Sequence, residues 1–163
     1  MVDVAVVGAG HIGSFHAESI ATRVPGARLV AVADPAAGAA ERVVAAVGSG
    51  RASTDAADVL TDPAVDAVVV AAPPSLHADL VEAAAHAGKA VFCEKPMALT
   101  LADADRAIAA AADAGVLLQV GFNRRFAAGF RAAYDAVAAG EVGTPQLMRS
   151  LTRDPELADP AAV

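Results

Sequence analysis

Short apolar runs alternate along this chain with longer stretches in which apolar positions recur at helical spacing. That alternation predicts an α/β domain built around a parallel sheet. The run at 2–7 (VDVAVV) reads as the first strand and 12–24 as the first helix, stopped by Pro25-Gly26. A second strand is expected at 28–33 and a second helix at 36–47, ended by Gly48. Residues 51–54 (RAST) suggest a short third strand, with a short helix at 55–60. The continuous Val/Ala run at 66–72 has the pattern of a strand buried on both faces, closed by Pro73-Pro74. Ser75 is positioned to cap a helix whose Leu76, Leu80, Val81 and Ala84 share one face, and Gly88 closes it.

Residues 90–93 form a candidate fifth strand. Thr100 and Asp103 then make a T-x-x-D start to a helix that runs to Gly115. A sixth strand is expected at 116–122, a further helix at about 126–139, and one more strand at 146–152 before a Pro-containing tail. Six strands with crossover helices fit a doubly wound order. The organisation expected is a Rossmann domain over 1–122, then a connecting helix and the beginning of a second domain over 123–163.

Composition narrows the function. The chain has 163 residues, enough for one sizeable core, and 56% are hydrophobic, many of them alanine, with no Trp. Its net charge of −7 and lack of a basic cluster argue against nucleic-acid or membrane-surface partners. The apolar run at 67–72 is far too short to span a bilayer, and the chain starts on a strand rather than a secretory signal. The lone Cys93 cannot make an internal disulfide and suits a reducing cytoplasm, and no Cys/His cluster has metal-ligand spacing.

The chemistry begins at GAGHIG, directly after the first strand run. Gly8 permits the tight turn, Gly10 allows close backbone approach to a pyrophosphate, and Gly13 permits close packing of the helix. His11 and Ile12 open that helix, whose first turn offers N–H groups and a partial positive charge to phosphates. Asp34 lies about 20 residues on, where a carboxylate can accept from the adenosine ribose hydroxyls and repel a 2′-phosphate. No arginine follows it directly, so NAD is expected in preference to NADP. The plainer alternative is a glycine turn that binds no dinucleotide.

Two further motifs, AAPPSLH at 71–77 and CEKP at 93–96, end the fourth and fifth strands and so face the crevice of the glycine loop. Lys95 is one of two lysines in the chain. It could hydrogen-bond a substrate hydroxyl and help take its proton as hydride leaves. A surface lysine after a strand is the alternative.

GAGHIG with His16 after it, ADP at 33–35, VDAVVVAAPPSLH at 65–77 and EKP at 94–96 together resemble the glucose–fructose oxidoreductase, inositol dehydrogenase and MocA family. VGFNRRF at 120–126 and MRSLTRDP at 148–155 look more narrowly like its bacterial inositol 2-dehydrogenases. The resemblance implies that Lys95 contacts substrate and supports proton transfer. It further implies that Ala72, Pro73 and His77 border the cofactor, that Glu94 lies at the nicotinamide end, and that Asn123 and Arg124 serve the substrate side. The substrate implied is a polyol or sugar, and the full-length form a homo-oligomer.

The resemblance also implies a chain roughly twice as long, the range of two domains. A second α/β domain then covers the cleft, and an Asp and a His complete the proton relay. The 163 residues are accordingly expected to hold NAD but to have little dehydrogenase activity alone. The contrasting expectation is a non-catalytic NAD-binding module that recruits a partner through its exposed last strand.

Overall fold

The computed structural model describes residues 1–151, and two compact units divide it: Met1–Gly121, and the residues from Phe122 on. In the first unit β1 (Val2–Val7), α1 (His11–Thr22), β2 (Ala27–Ala33), α2 (Ala39–Val47), β3 (Arg51–Ser53) and α3 (Ala56–Leu60) precede β4 (Ala67–Val70). α4 (His77–His86), β5 (Ala90–Cys93), α5 (Leu101–Asp113) and β6 (Leu118–Val120) follow. All neighbouring strands pair in parallel, in the order β3-β2-β1-β4-β5-β6. The chain therefore winds outward from β1 in one direction and from β4 in the other. That reversal opens a crevice at the carboxyl ends of β1 and β4.

Strand alternation divides the core into two layers. Ala5, Val7, Val68, Val70, Val91 and Cys93 face Val59 of α3, Val81 of α4 and Ala107 of α5. Val4, Val6, Leu29, Val32 and Val69 face Ala17 and Ile20 of α1 and Val43 of α2. Burying each Val or Leu side chain is worth about 1.5–3 kcal/mol. The alternation is broken once, where a register shift between Val4 and Ala5 pairs them with Leu29 and Ala31 and leaves Val30 as the extra residue.

Several expected boundaries move for local reasons. α2 starts at Ala39 rather than at 36, because the Asp34 carboxylate accepts the Ala36 N–H at 2.9 Å and Gly38 takes a left-handed φ of +73°. β4 ends at Val70, and Ala71 and Ala72 leave the sheet to border the glycine loop. Ser75 does not cap α4. It lies inside a 3-10 turn, Pro74–Leu76, and the helix proper starts at His77 without a side-chain cap. The buried face of α4 is consequently His77, Ala78, Val81, Ala84 and Ala85, and Leu76 is exposed. Thr100 does cap α5, its hydroxyl oxygen accepting the Asp103 N–H at 3.1 Å.

The second unit holds a 3-10 turn, Asn123–Phe126, and α6 (Ala128–Ala138). Residues 146–151 form no strand, contrary to expectation, and Thr152 lies outside the described residues. A strand needs a partner for its backbone donors and acceptors, and none pairs with this segment among the described residues. No helix among the described residues is long and apolar enough to cross a membrane.

Cys93 is fully buried, and desolvation, helped by the adjacent Glu94 charge, pushes its thiol from 9.0 up to about 12. The folded protein should leave this thiol unreacted with a disulfide reagent at about pH 8, with one thiol appearing on unfolding. Because the raised value favours the protonated thiol in the fold, stability should fall as pH rises from 9.0 toward 12. Rapid labelling of the native thiol would contradict the assignment.

Candidate functional site

Three glycines shape the β1–α1 loop, each for a different reason. Gly8 sits at φ +100°, and a Cβ there would meet the Ala71 carbonyl oxygen at 2.5 Å and the Ala72 nitrogen at 2.7 Å. Gly13 is tighter still, because a Cβ would stand 1.8 Å from the Gly8 carbonyl oxygen. At Gly10 a Cβ would meet nothing within 4 Å, so the loop is open on that side. Gly10 also precedes α1 without a side-chain cap. The N–H groups of His11, Ile12 and Gly13 thus have no intrahelical acceptor and form the partially positive end of the helix. The cradle fits a pyrophosphate.

Asp34 locks this loop to the next strand. One carboxylate oxygen accepts the Ala9 N–H at 2.7 Å and the other accepts the Ala36 N–H at 2.9 Å. Around it, the Gly8 N–H donates to the Ala33 carbonyl at 2.8 Å and the Asp34 N–H to that of Ser53 at 3.1 Å. Each carboxylate oxygen keeps a second lone pair, so the side chain can tie the backbone and still accept from ribose hydroxyls. Together these residues fit a dinucleotide with its adenosine half over β2 and its other nucleotide over β4 and β5.

On that other half, Ala72 and Pro73 follow β4, while Glu94 and Lys95 follow β5. The His77 ring lies beneath both, 1% exposed. Its Nδ1 stands 2.6 Å from the Pro96 carbonyl oxygen and its Nε2 2.7 Å from that of Ala72. The ring staples the two strand ends together and presents no open nitrogen to the crevice. Lys95 is exposed.

Glu94 is half-buried, with one oxygen 2.9 Å from the His16 Nε2 of α1. Sequence reading gave His16 no role. The two residues are 78 positions apart, so no spacing could reveal the pairing. Asn123 and Arg124 belong to the second unit, exposed in its 3-10 turn, with the Arg124 guanidinium 5.3 Å from the centre of the Phe130 ring. Among the described residues no group of three or more His, Cys, Asp or Glu side chains could hold a metal ion.

Residues 2–122 match the family model GFO_IDH_MocA, an oxidoreductase family with an NAD-binding Rossmann fold. The scyllo-inositol 2-dehydrogenase (NAD(+)) of Bacillus subtilis is 43% identical over 92% of this chain and 44% of its own length. The myo-inositol 2-dehydrogenase of Thermotoga maritima is 40% identical over 93% of this chain and 45% of its own length. Among solved structures, scyllo-inositol dehydrogenase from Lactobacillus casei with bound NAD(H) and scyllo-inositol superposes with a TM-score of 0.83 at 30% identity. That match covers 88% of this chain and 42% of the other. The chain thus spans less than half the length of the relatives it matches.

The loop geometry separates two substitutions. Gly13→Ala should cost ~2 kcal/mol or more of stability, since backbone must move to admit the methyl group. Gly10→Ala should cost within about 1 kcal/mol, the scale of an N-cap change, yet weaken dinucleotide binding. Equal urea midpoints for the two variants would contradict this account.

Proposed function

The chain belongs to the GFO_IDH_MocA oxidoreductase family with its NAD-binding Rossmann fold, and on that premise we propose that it is the cofactor-binding part of an NAD-dependent dehydrogenase acting on a polyol or sugar carbinol of the inositol type. The reading rests above all on the glycine loop, which is open at Gly10, pressed shut at Gly13 and tied by Asp34 at the point where the sheet reverses direction.

In this proposal the N–H groups at Gly10, His11, Ile12 and Gly13 hold the pyrophosphate, with Gly8 giving the loop its turn. Asp34 accepts from the adenosine ribose hydroxyls, and its charge disfavours the 2′-phosphate of NADP. Ala72, Pro73 and Glu94 border the nicotinamide half, and His77 holds that border in place. NAD, when bound, supplies the hydride acceptor.

The Lys95 amine hydrogen-bonds the substrate hydroxyl and assists its deprotonation as the carbinol carbon is oxidised to a ketone. Asn123 and Arg124 contribute to substrate binding. The inositol names carried by the relatives support the polyol class. Because the chain spans under half of those proteins, we assign turnover to the whole protein and cofactor affinity to these 163 residues.

Lys95→Ala in the whole protein should lower turnover of an inositol substrate by ~100-fold or more while leaving NAD affinity within about twofold. Unchanged turnover would remove Lys95 from the chemistry. A whole protein that binds NAD but oxidises no polyol or sugar would favour a non-catalytic binding module instead.

A further inference from the structure

An arginine without a partner lies beside the Asp34 turn. Within the first unit Arg23, Arg28, Arg51 and Arg106 each form an ion pair with a carboxylate. Among the described residues the Arg42 guanidinium makes no hydrogen bond or ion pair. The chain carries 19 acidic residues against 12 basic ones, so this is not for want of carboxylates.

Local structure carries Arg42 back toward that turn. Asp34 accepts the Ala36 N–H at 2.9 Å, and the Ala36 carbonyl accepts the Ala39 N–H at 3.0 Å. The Gly38 carbonyl then accepts the Arg42 N–H at 3.1 Å. Arg42 thus sits in the first turn of α2, where side chains lean toward the amino end of the helix. Its Nη1 lies over Gly38, 3.3 Å from where a Cβ would stand.

The guanidinium lines a groove of about 610 Å³ shared with Ala9, His11 and Ser14. Ala9 is the residue whose N–H the Asp34 carboxylate holds at 2.7 Å. Glu18 lines the groove as well, but its carboxylate is taken by Arg23 at 2.8 Å.

A guanidinium presents a planar, permanently charged fork that matches a phosphate. We propose that Arg42 is a second specificity-determining residue of the cofactor site, placed to bind an adenosine 2′-phosphate, so that Asp34 alone holds NADP off. This rests on the reading of the glycine loop and Asp34 as a dinucleotide site. The two residues pull in opposite directions. Asp34 accepts from a free 2′-hydroxyl and repels a phosphate there, whereas Arg42 attracts the phosphate and gains little from a neutral hydroxyl.

Calorimetric binding of NAD and NADP to the 163-residue chain tests this without any turnover. Adenosine 2′,5′-bisphosphate against adenosine 5′-monophosphate confines the comparison to the 2′-phosphate. Asp34→Ala should bring NADP to at least the affinity of NAD. In that background Arg42→Gln should weaken NADP and the bisphosphate by ~10-fold or more, and NAD and the monophosphate by less than about twofold. Arg42→Glu should weaken the two 2′-phosphates further. Because the guanidinium has no partner among the described residues, the thermal midpoints of these variants should match those of their parents.

An NADP affinity that ignores Arg42 would overturn the proposal. So would equal weakening of NAD and NADP, which would put Arg42 on the adenine or the ribose instead. A folded parent that binds none of the four ligands would sink the dinucleotide reading and this proposal with it. NAD binding with no response of the 2′-phosphates to Arg42 would sink this proposal alone.

Discussion

The close approach of Gly13 to the Gly8 carbonyl oxygen is the constraint from which the rest of this site follows. With only 1.8 Å between a notional Cβ and that oxygen, no other residue lets α1 start so near the end of β1. The approach sets the amino end of the helix over the crevice, where its unpaired N–H groups and dipole can act on an anion. It also forces Gly8 into a left-handed backbone against Ala71 and Ala72. The loop after β1 and the strand end after β4 are thereby fixed relative to each other, and those two edges define the crevice. Asp34 extends the same rigidity to β2 by bonding the Ala9 and Ala36 N–H groups. A dinucleotide would meet a site that is already formed, and little binding energy is lost to ordering it.

The two halves of the crevice are built by different means. Over β1 and β2 the backbone presents free N–H groups and Asp34 presents the carboxylate. Over β4 and β5 buried side chains hold the strand ends. His77 bridges the carbonyls of Ala72 and Pro96, and His16 engages Glu94 from the opposite layer of the fold. Lys95 projects from a turn fixed on both sides while its own side chain is exposed. That combination of a fixed backbone and an unengaged amine is what a group needs to meet a substrate in a defined place.

Much of this was legible in the sequence wherever punctuation and hydrophobic pattern coincide. β1 and β5 occupy the predicted residues because Gly8 and Glu94 end apolar runs, the first broken only by Asp3, and Thr100 caps α5 because the T-x-x-D spacing has only local requirements. The turn at Gly8 and the close packing at Gly13 were readable because the motif encodes sterics over a few residues. Local signals failed where a distant group competed for the backbone. Asp34 captured the Ala36 N–H and delayed α2, and the loop drew Ala71 and Ala72 out of β4. Residues 146–151 have the composition of a strand, but a strand exists only with a partner. The His16–Glu94 pair depends on tertiary placement of α1 beside β5, which no local pattern carries.

The central claim is that a rigid glycine loop and Asp34 make these 163 residues a selective NAD site. Calorimetric titration of this chain and of its Asp34→Ala variant, each with NAD and with NADP, tests it most directly. The account predicts saturable NAD binding with clear preference over NADP in the parent, and loss of that preference in the variant. Absence of NAD binding by the folded parent, or a preference that survives removal of Asp34, would contradict it.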